Sequence, residues 1–218
     1  NLGARSEGDS VHIVLEHMPC NLDAALSYSA TKENIREILR QILSGVAHIH
    51  SKSLAHRDIR PRNILLDPET LSVKICDLGN CCDGERREFF LGVSVDGYRR
   101  DISSVACIMA HLYLGGYFSR RLYTDLFIIH RVELFLKAKE RGGVLPDSRV
   151  GMVCKAMEEV VSKNGMDLFL QLIASRKTGG YTAAAEVLEH PFFAEGREQD
   201  LPFGQRWLLK CKQQLCFR

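Results

Sequence analysis

Long apolar runs are absent: the longest uninterrupted one is the six residues Val105 to Ala110, against the roughly 20 that a membrane-crossing helix requires. A helical membrane protein is excluded, and a soluble chain with no membrane partner is expected. Glycine and proline are few, 17 and 6 of 218 residues. With 45% hydrophobic residues, that removes the collagen-like and disordered classes. A surplus of one charge is also missing. Lys and Arg number 29 against 27 Asp and Glu, a formal net charge of +2, and the two signs are mixed along the chain. A polyanion-coating surface is therefore not expected, and nucleic acid is not an expected partner. Eight cysteines in 218 residues fall short of the density of a secreted disulfide scaffold, and no apolar N-terminal signal segment precedes them. Reduced thiols and a cytoplasmic or nuclear location are the expectation. Cys76, Cys81 and Cys82 form no paired Cys-x-x-Cys knuckles, so zinc is not expected. A Met start is lacking as well: Asn1 leads into the polar stretch 3–10, as the middle of a longer protein would.

What is present is enough apolar material for one domain of ordinary size. Residues 11–16 are β-branched and apolar behind the turn-forming Gly8-Asp9-Ser10, which predicts a short strand. From Lys32 to His50 apolar residues recur at spacings of three and four, with Thr31 as the candidate N-cap, which predicts a core-facing helix. The runs at 63–66 and 73–76 flank Asp67-Pro68-Glu69-Thr70 and predict a hairpin. Asp101 to Leu114 is apolar almost all round and stops at Gly115-Gly116, as a buried central helix would. Further helices are expected over about 125–141, 149–161, 166–175 and 182–189, with Gly142-Gly143, Asn164-Gly165 and Gly179-Gly180 as breaks.

The most informative segment is His56-Arg57-Asp58-Ile59-Arg60-Pro61-Arg62-Asn63, followed by the hairpin and then Asp77-Leu78-Gly79. An Asp, an Asn five positions on and a second Asp beyond a hairpin supply a base and hard oxygen ligands that can converge on a polyphosphate and its Mg²⁺. This pattern resembles the catalytic loop and magnesium loop of protein kinases. The resemblance implies that Asp58 accepts the substrate hydroxyl proton, Arg60 neutralises the transferring phosphoryl group, and Asn63 and Asp77 hold Mg²⁺. It further implies ATP as cofactor, with Glu16 and Met18 offering backbone to adenine, Leu15 behind it and Leu65 as the pocket floor. Leu78, where the family usually has Phe, would pack as a buried apolar peg. The hinge-like 14–22 and Asp77-Leu78-Gly79-Asn80 are similar to the cyclin-dependent-like, or CMGC, serine/threonine kinases.

By the same resemblance Asp101 would brace the catalytic-loop backbone, and Glu88 would close a much-shortened activation segment. Only 80–87 then separate the magnesium loop from Glu88, without a Ser, Thr or Tyr, so Arg57 has no phosphoresidue to clamp, and Asp83 or Glu85 would stand in. The Arg that pairs with that glutamate in the family is lacking at 180–181, and Arg176 is the available substitute. Tyr181 to Phe193 resembles the closing helix and His-Pro-Phe-Phe tail. The expected fold is mainly α within an α+β family: a kinase-like C-terminal lobe with a hinge strand and a small catalytic β-hairpin, the N-terminal lobe missing. Residues 1–10 would be a remnant before the hinge, 11–193 the lobe and 194–218 a tail. The implied activity is serine/threonine phosphorylation of a protein substrate, with a cyclin-like or other regulatory protein as partner. The isolated chain is expected to be truncated and inactive. The alternative is a pseudokinase or interaction module.

Overall fold

The structure, a computed structural model, describes residues 3–7, 10–85, 88–90, 93–126, 134, 135, 137, 138, 140–142, 149–176 and 179–195. Strands β1 (Gly3–Glu7) and β2 (Ser10–Val14) pair as an antiparallel hairpin, Gly3 opposite Val14. The expected strand thus ends two residues early, and residues 3–7 are its partner. A short strand β3 (Cys20–Asn21) leads into α1 (Leu22–Ala25), whose first turn is capped by Asn21 Oδ1 accepting from the Ala24 N–H at 3.1 Å.

Two helices occupy the place of the single one expected from 32. Helix α2 (Ser29–Glu33) and helix α3 (Ile35–His50) are separated by Asn34, whose backbone leaves the helical region at φ −120°. Thr31 is therefore not an N-cap; it lies inside α2 and is buried. Along α3 the residues Ile35, Ile38, Leu39, Ile42, Leu43 and Val46 form one buried stripe, the i, i+3, i+4 pattern that drives an amphipathic helix onto a core. His48 and His50 fall in its last turn.

Strands β5 (Ile64–Leu66) and β6 (Val73–Ile75) form the predicted hairpin, with β3 added on the β5 side. Its turn is built by Asp67, whose carboxylate accepts from the Glu69 N–H at 2.9 Å and the Thr70 hydroxyl at 2.8 Å. These bonds hold the carboxyl below its ordinary pKa, the Glu69 N–H contributing most. Strand β4 (Leu54–Ala55) pairs with β7 (Cys82–Asp83), and β8 (Glu88–Phe90) with β9 (Val93–Val95).

Helix α4 (Gly97–Leu114) is the centre. Asp96 Oδ1 caps its start by accepting from the Arg99 N–H at 2.8 Å, and Gly115 ends it at φ +87°, where a side chain would be strained. Ile102, Val105, Ile108, Met109 and Leu112 are buried on it, each worth about 1.5–3 kcal/mol of transfer free energy. Helix α4 packs on α3, on α5 (Gly116–Leu126), on α6 (Arg149–Glu158) and on α7 (Lys163–Ala174). The Gly115-Gly116 stop is real, but α5 starts at once. Most of the helix expected over 125–141 lies outside the described residues. Asn164-Gly165 is not a break: Ser162 caps α7 by accepting from the Gly165 N–H at 3.0 Å, and Gly165 sits against Val161 and Phe192 with no room for a side chain. Helix α8 (Ala184–Leu188) closes the domain, its start held by Glu186 accepting from the Thr182 and Ala183 N–H groups. Among the described residues no helix is long and apolar enough to cross a membrane.

Candidate active site

The loop leaving β4 carries a strained residue, Arg57, at φ +67°. A left-handed non-glycine conformation costs on the order of 1–3 kcal/mol and persists only where its surroundings enforce it. Here a buried carboxylate enforces it. Asp101 on α4, 0% exposed, accepts from the His56 N–H through Oδ2 at 2.6 Å and from the Arg57 N–H through Oδ1 at 2.7 Å. His50, from the end of α3, places Nε2 3.1 Å from the same Oδ2. The brace expected at Asp101 is thus present, with a second support from His50 that spacing gave no sign of.

His56 then ties two loops together. Its buried ring accepts from the Asp58 N–H through Nδ1 at 3.2 Å, so Nε2 carries the proton and donates to the Cys76 carbonyl at 2.9 Å. Cys76 immediately precedes Asp77, and its own N–H donates to the Asn63 carbonyl at 2.9 Å. The 56–63 loop and the loop at 76–80 are therefore one hydrogen-bonded unit at the open end of the β5–β6 hairpin.

Within that unit Asn63, 4% exposed, donates through Nδ2 to the Asp58 carbonyl and to Asp58 Oδ2, both at 2.9 Å. Both amide hydrogens are then used, and Oδ1 is the atom left to accept or ligate. Arg60 Nη1 and Arg62 Nη2 each stand 3.5 Å from an Asp58 carboxylate oxygen. The motif's spacing gives Arg62 no role; the structure gives it this ion pair.

Asp77 adopts φ +65° and is exposed, with no ion pair to a described residue. Leu78 is 58% exposed, which corrects the expectation of a buried peg: the described residues leave more than half of it open. Behind it, Arg57 Nη1 donates to Cys82 Sγ at 3.2 Å. The segment after the magnesium loop is stitched down by β7 on β4 and by the Gly84 N–H donating to the Ser53 carbonyl at 3.0 Å, with the Tyr98 ring where a Gly84 side chain would be. Burial raises the Cys76 and Cys81 thiol pKa values, with nearby carboxylates adding to it. Those thiols stay protonated. Arg176 lies buried near Arg100, Tyr123 and Cys107, and burial lowers its pKa to about 10; the Glu88 side chain lies outside the described residues.

The hinge-like residues are differently placed. Glu16 reaches the catalytic hairpin through Lys74, at 3.2 Å, and Leu65 is half-buried on β5 opposite Lys74 and Asn21. Met18 is half-buried. Leu15, at 67%, is exposed with Ile13 and Val14. The structure thus gathers Asp58, Arg60 and Asn63, links Asp77 to them through Cys76, and leaves Leu15 apart. The oxygen donors of Asn63 and Asp77 suit Mg²⁺, which takes one or two protein ligands and completes its shell with phosphate and water. Their two-loop hydrogen bonding keeps them near each other with a carboxylate uncommitted to any described cation, so these residues fit the ion.

The protein kinase domain model matches residues 2–193. The chain is 28% identical to Protein kinase gsk3 of Schizosaccharomyces pombe, over 90% of this chain and 58% of that protein. It is 34% identical to the probable serine/threonine-protein kinase MRK1 homolog of Encephalitozoon cuniculi, over 88% of this chain and 67% of that protein. It is 33% identical to the probable CTD kinase subunit alpha homolog of the same organism, over 50% of this chain and 37% of that protein. The chain thus spans between about a third and two thirds of the length of these relatives.

Proposed function

From the premise that the chain belongs to the protein kinase family, as a CMGC-like member, we propose that its site transfers the γ-phosphoryl group of ATP to a serine or threonine hydroxyl of a protein. The observation that carries this is the Asp58–Asn63–His56–Asp101 network, which fixes a carboxylate beside two guanidinium groups and two oxygen donors. Asp58 would orient the acceptor hydroxyl and take its proton. Arg60 would offset negative charge on the transferring group. Asn63 and Asp77 would hold Mg²⁺, which when bound supplies charge neutralisation on the phosphates. Glu16 and Met18 would offer backbone to adenine, above Leu65. Positioning and fixed charge do most of the work in such a reaction, and the buried brace at Asp101 is how this fold prepares both.

The 218 residues taken alone would turn over slowly, because among the described residues the proposed adenine side is open at Leu15. A second reading, an interaction module that keeps the kinase fold, is favoured by the short segment 80–87 with no hydroxyl residue. The test is transfer from Mg²⁺-ATP to a serine/threonine peptide library, read by mass spectrometry, in wild type and Asp58→Asn. Phosphopeptides that vanish in the variant support the proposal. Bound nucleotide without any Asp58-dependent transfer moves the assignment to the interaction module.

A further inference from the structure

Two adjoining cavities open beside the catalytic loop, and their linings are unlike the chain as a whole. The first, about 390 Å³, is bounded by Arg60, Arg62, Arg120, His111, Asp23 and Tyr123 among others. The second, about 330 Å³, lies between Arg120, Arg121, Arg149, Tyr117 and Thr124. Arg120 and Thr124 belong to both. Five arginines therefore face one continuous depression in a chain whose net charge is only +2. Against them stands one acid in the first lining, Asp23, whose Oδ1 lies 3.2 Å from His111 Nε2; the second lining has none. Arg121 is held over the Tyr117 ring at 4.2 Å, a stacked geometry that keeps a guanidinium in place. Arg120 and Arg149 are exposed and make no ion pair with a described residue.

The position of this depression gives it a use. Arg60 and Arg62 line it and also stand 3.5 Å from the Asp58 carboxylate, so it begins one arginine side chain away from the point where an acceptor hydroxyl would sit. That distance is about two residues of extended peptide, at roughly 3.3 Å per residue. The geometry points to a specificity site for acidic residues of a protein substrate: carboxylate or phosphate side chains starting about two positions from the acceptor serine or threonine, read by Arg120, Arg121 and Arg149. This rests on the kinase assignment and names the substrate class of that same site. Arginine suits the task because its planar fork binds carboxylate and phosphate oxygens in pairs.

The test is fluorescence anisotropy with a labelled peptide of one serine flanked by glutamates, against its glutamine counterpart. It uses the 218-residue chain, Arg120→Glu, Arg149→Glu and, as a control of equal charge change away from the cavities, Lys163→Glu. The acidic peptide is expected to bind at least about tenfold more tightly than the glutamine peptide, and either arginine substitution to remove about tenfold. Lys163→Glu should change binding less than about twofold. A glutamine peptide bound equally well, an equal loss in Lys163→Glu, or a DNA duplex bound as tightly with the same Arg120 dependence would each overturn the proposal, the last in favour of a general polyanion surface. Mg²⁺-ATP binding measured on the same samples separates the two levels. Intact ATP binding without peptide discrimination sinks the specificity site alone, and discrimination without ATP binding sinks the kinase assignment.

Discussion

The catalytic-loop side of the site and its hinge side are built on opposite terms. Around Asp58 the bracing groups are buried: Asp101, His56 and Asn63 are at or below 4% exposure, and their hydrogen bonds run from α3 and α4 through the loop to Cys76. Around Leu15 the apolar residues Ile13, Val14 and Leu15 are each about two-thirds exposed, and a surface ion pair, Glu16 with Lys74, ties the segment to the hairpin. The difference teaches where the core of this chain reaches. The loop proposed to carry phosphoryl transfer is braced by α4, whereas among the described residues the proposed adenine side leaves those three side chains more than half exposed.

That contrast can be broken or sharpened by substitution. The largest effect belongs to Asp58→Asn, which should lower phosphoryl transfer by roughly 10²–10⁴-fold in single-turnover assays while the thermal midpoint stays near wild type. Next is Asp101→Ala. It orphans two buried backbone donors, each costing about 1–3 kcal/mol, so a loss of about 3 kcal/mol in urea denaturation is expected. Leu66→Ala on the buried face of β5 should cost about 2–5 kcal/mol, whereas Leu15→Ala on the hinge side should stay within about 0.5 kcal/mol. Equal costs at Leu66 and Leu15 would erase the comparison.

A smaller effect concerns pH. His111 is buried on α4, and burial lowers its pKa below the ordinary 6.5, with Arg120 adding to that and Asp23 opposing it. A base with a depressed folded pKa takes up its proton first in the unfolded chain as pH falls. Its contribution is therefore complete above about 6.5 and lost as pH drops from there through the folded value. Denaturation midpoints should fall between pH 7 and 5, and His111→Gln should flatten that slope.

How much of this was legible in the sequence depends on how local the cause is. The β5–β6 hairpin, the α3 stripe and the Gly115 cap follow from spacing and turn chemistry within a few residues, and all three are present. So is the Asp58–Asn63 pair, five positions apart on one loop. The break at Asn34 was not legible, because helical periodicity continues through it and only its backbone departs. Helix α5 was missed because a glycine pair that ends one helix can also open the next. Leu78 was misjudged because burial depends on what lies across from it. The His56–Cys76 bridge and the five-arginine depression are tertiary: the first spans 20 positions, the second brings Arg60 and Arg62 to Arg120, Arg121 and Arg149, and in the sequence the Arg120-Arg121 doublet reads as no more than solvated surface.

The most direct test of the central claim, that this chain prepares the phosphate side of the site by itself, is calorimetry of ATP binding with and without Mg²⁺ on wild type, Asp77→Asn and Leu15→Ala. The account predicts Mg²⁺-dependent binding, weakened at least about tenfold by Asp77→Asn and changed less than about twofold by Leu15→Ala. Binding indifferent to Mg²⁺, or equal in wild type and Asp77→Asn, or no binding by a folded chain, would contradict it.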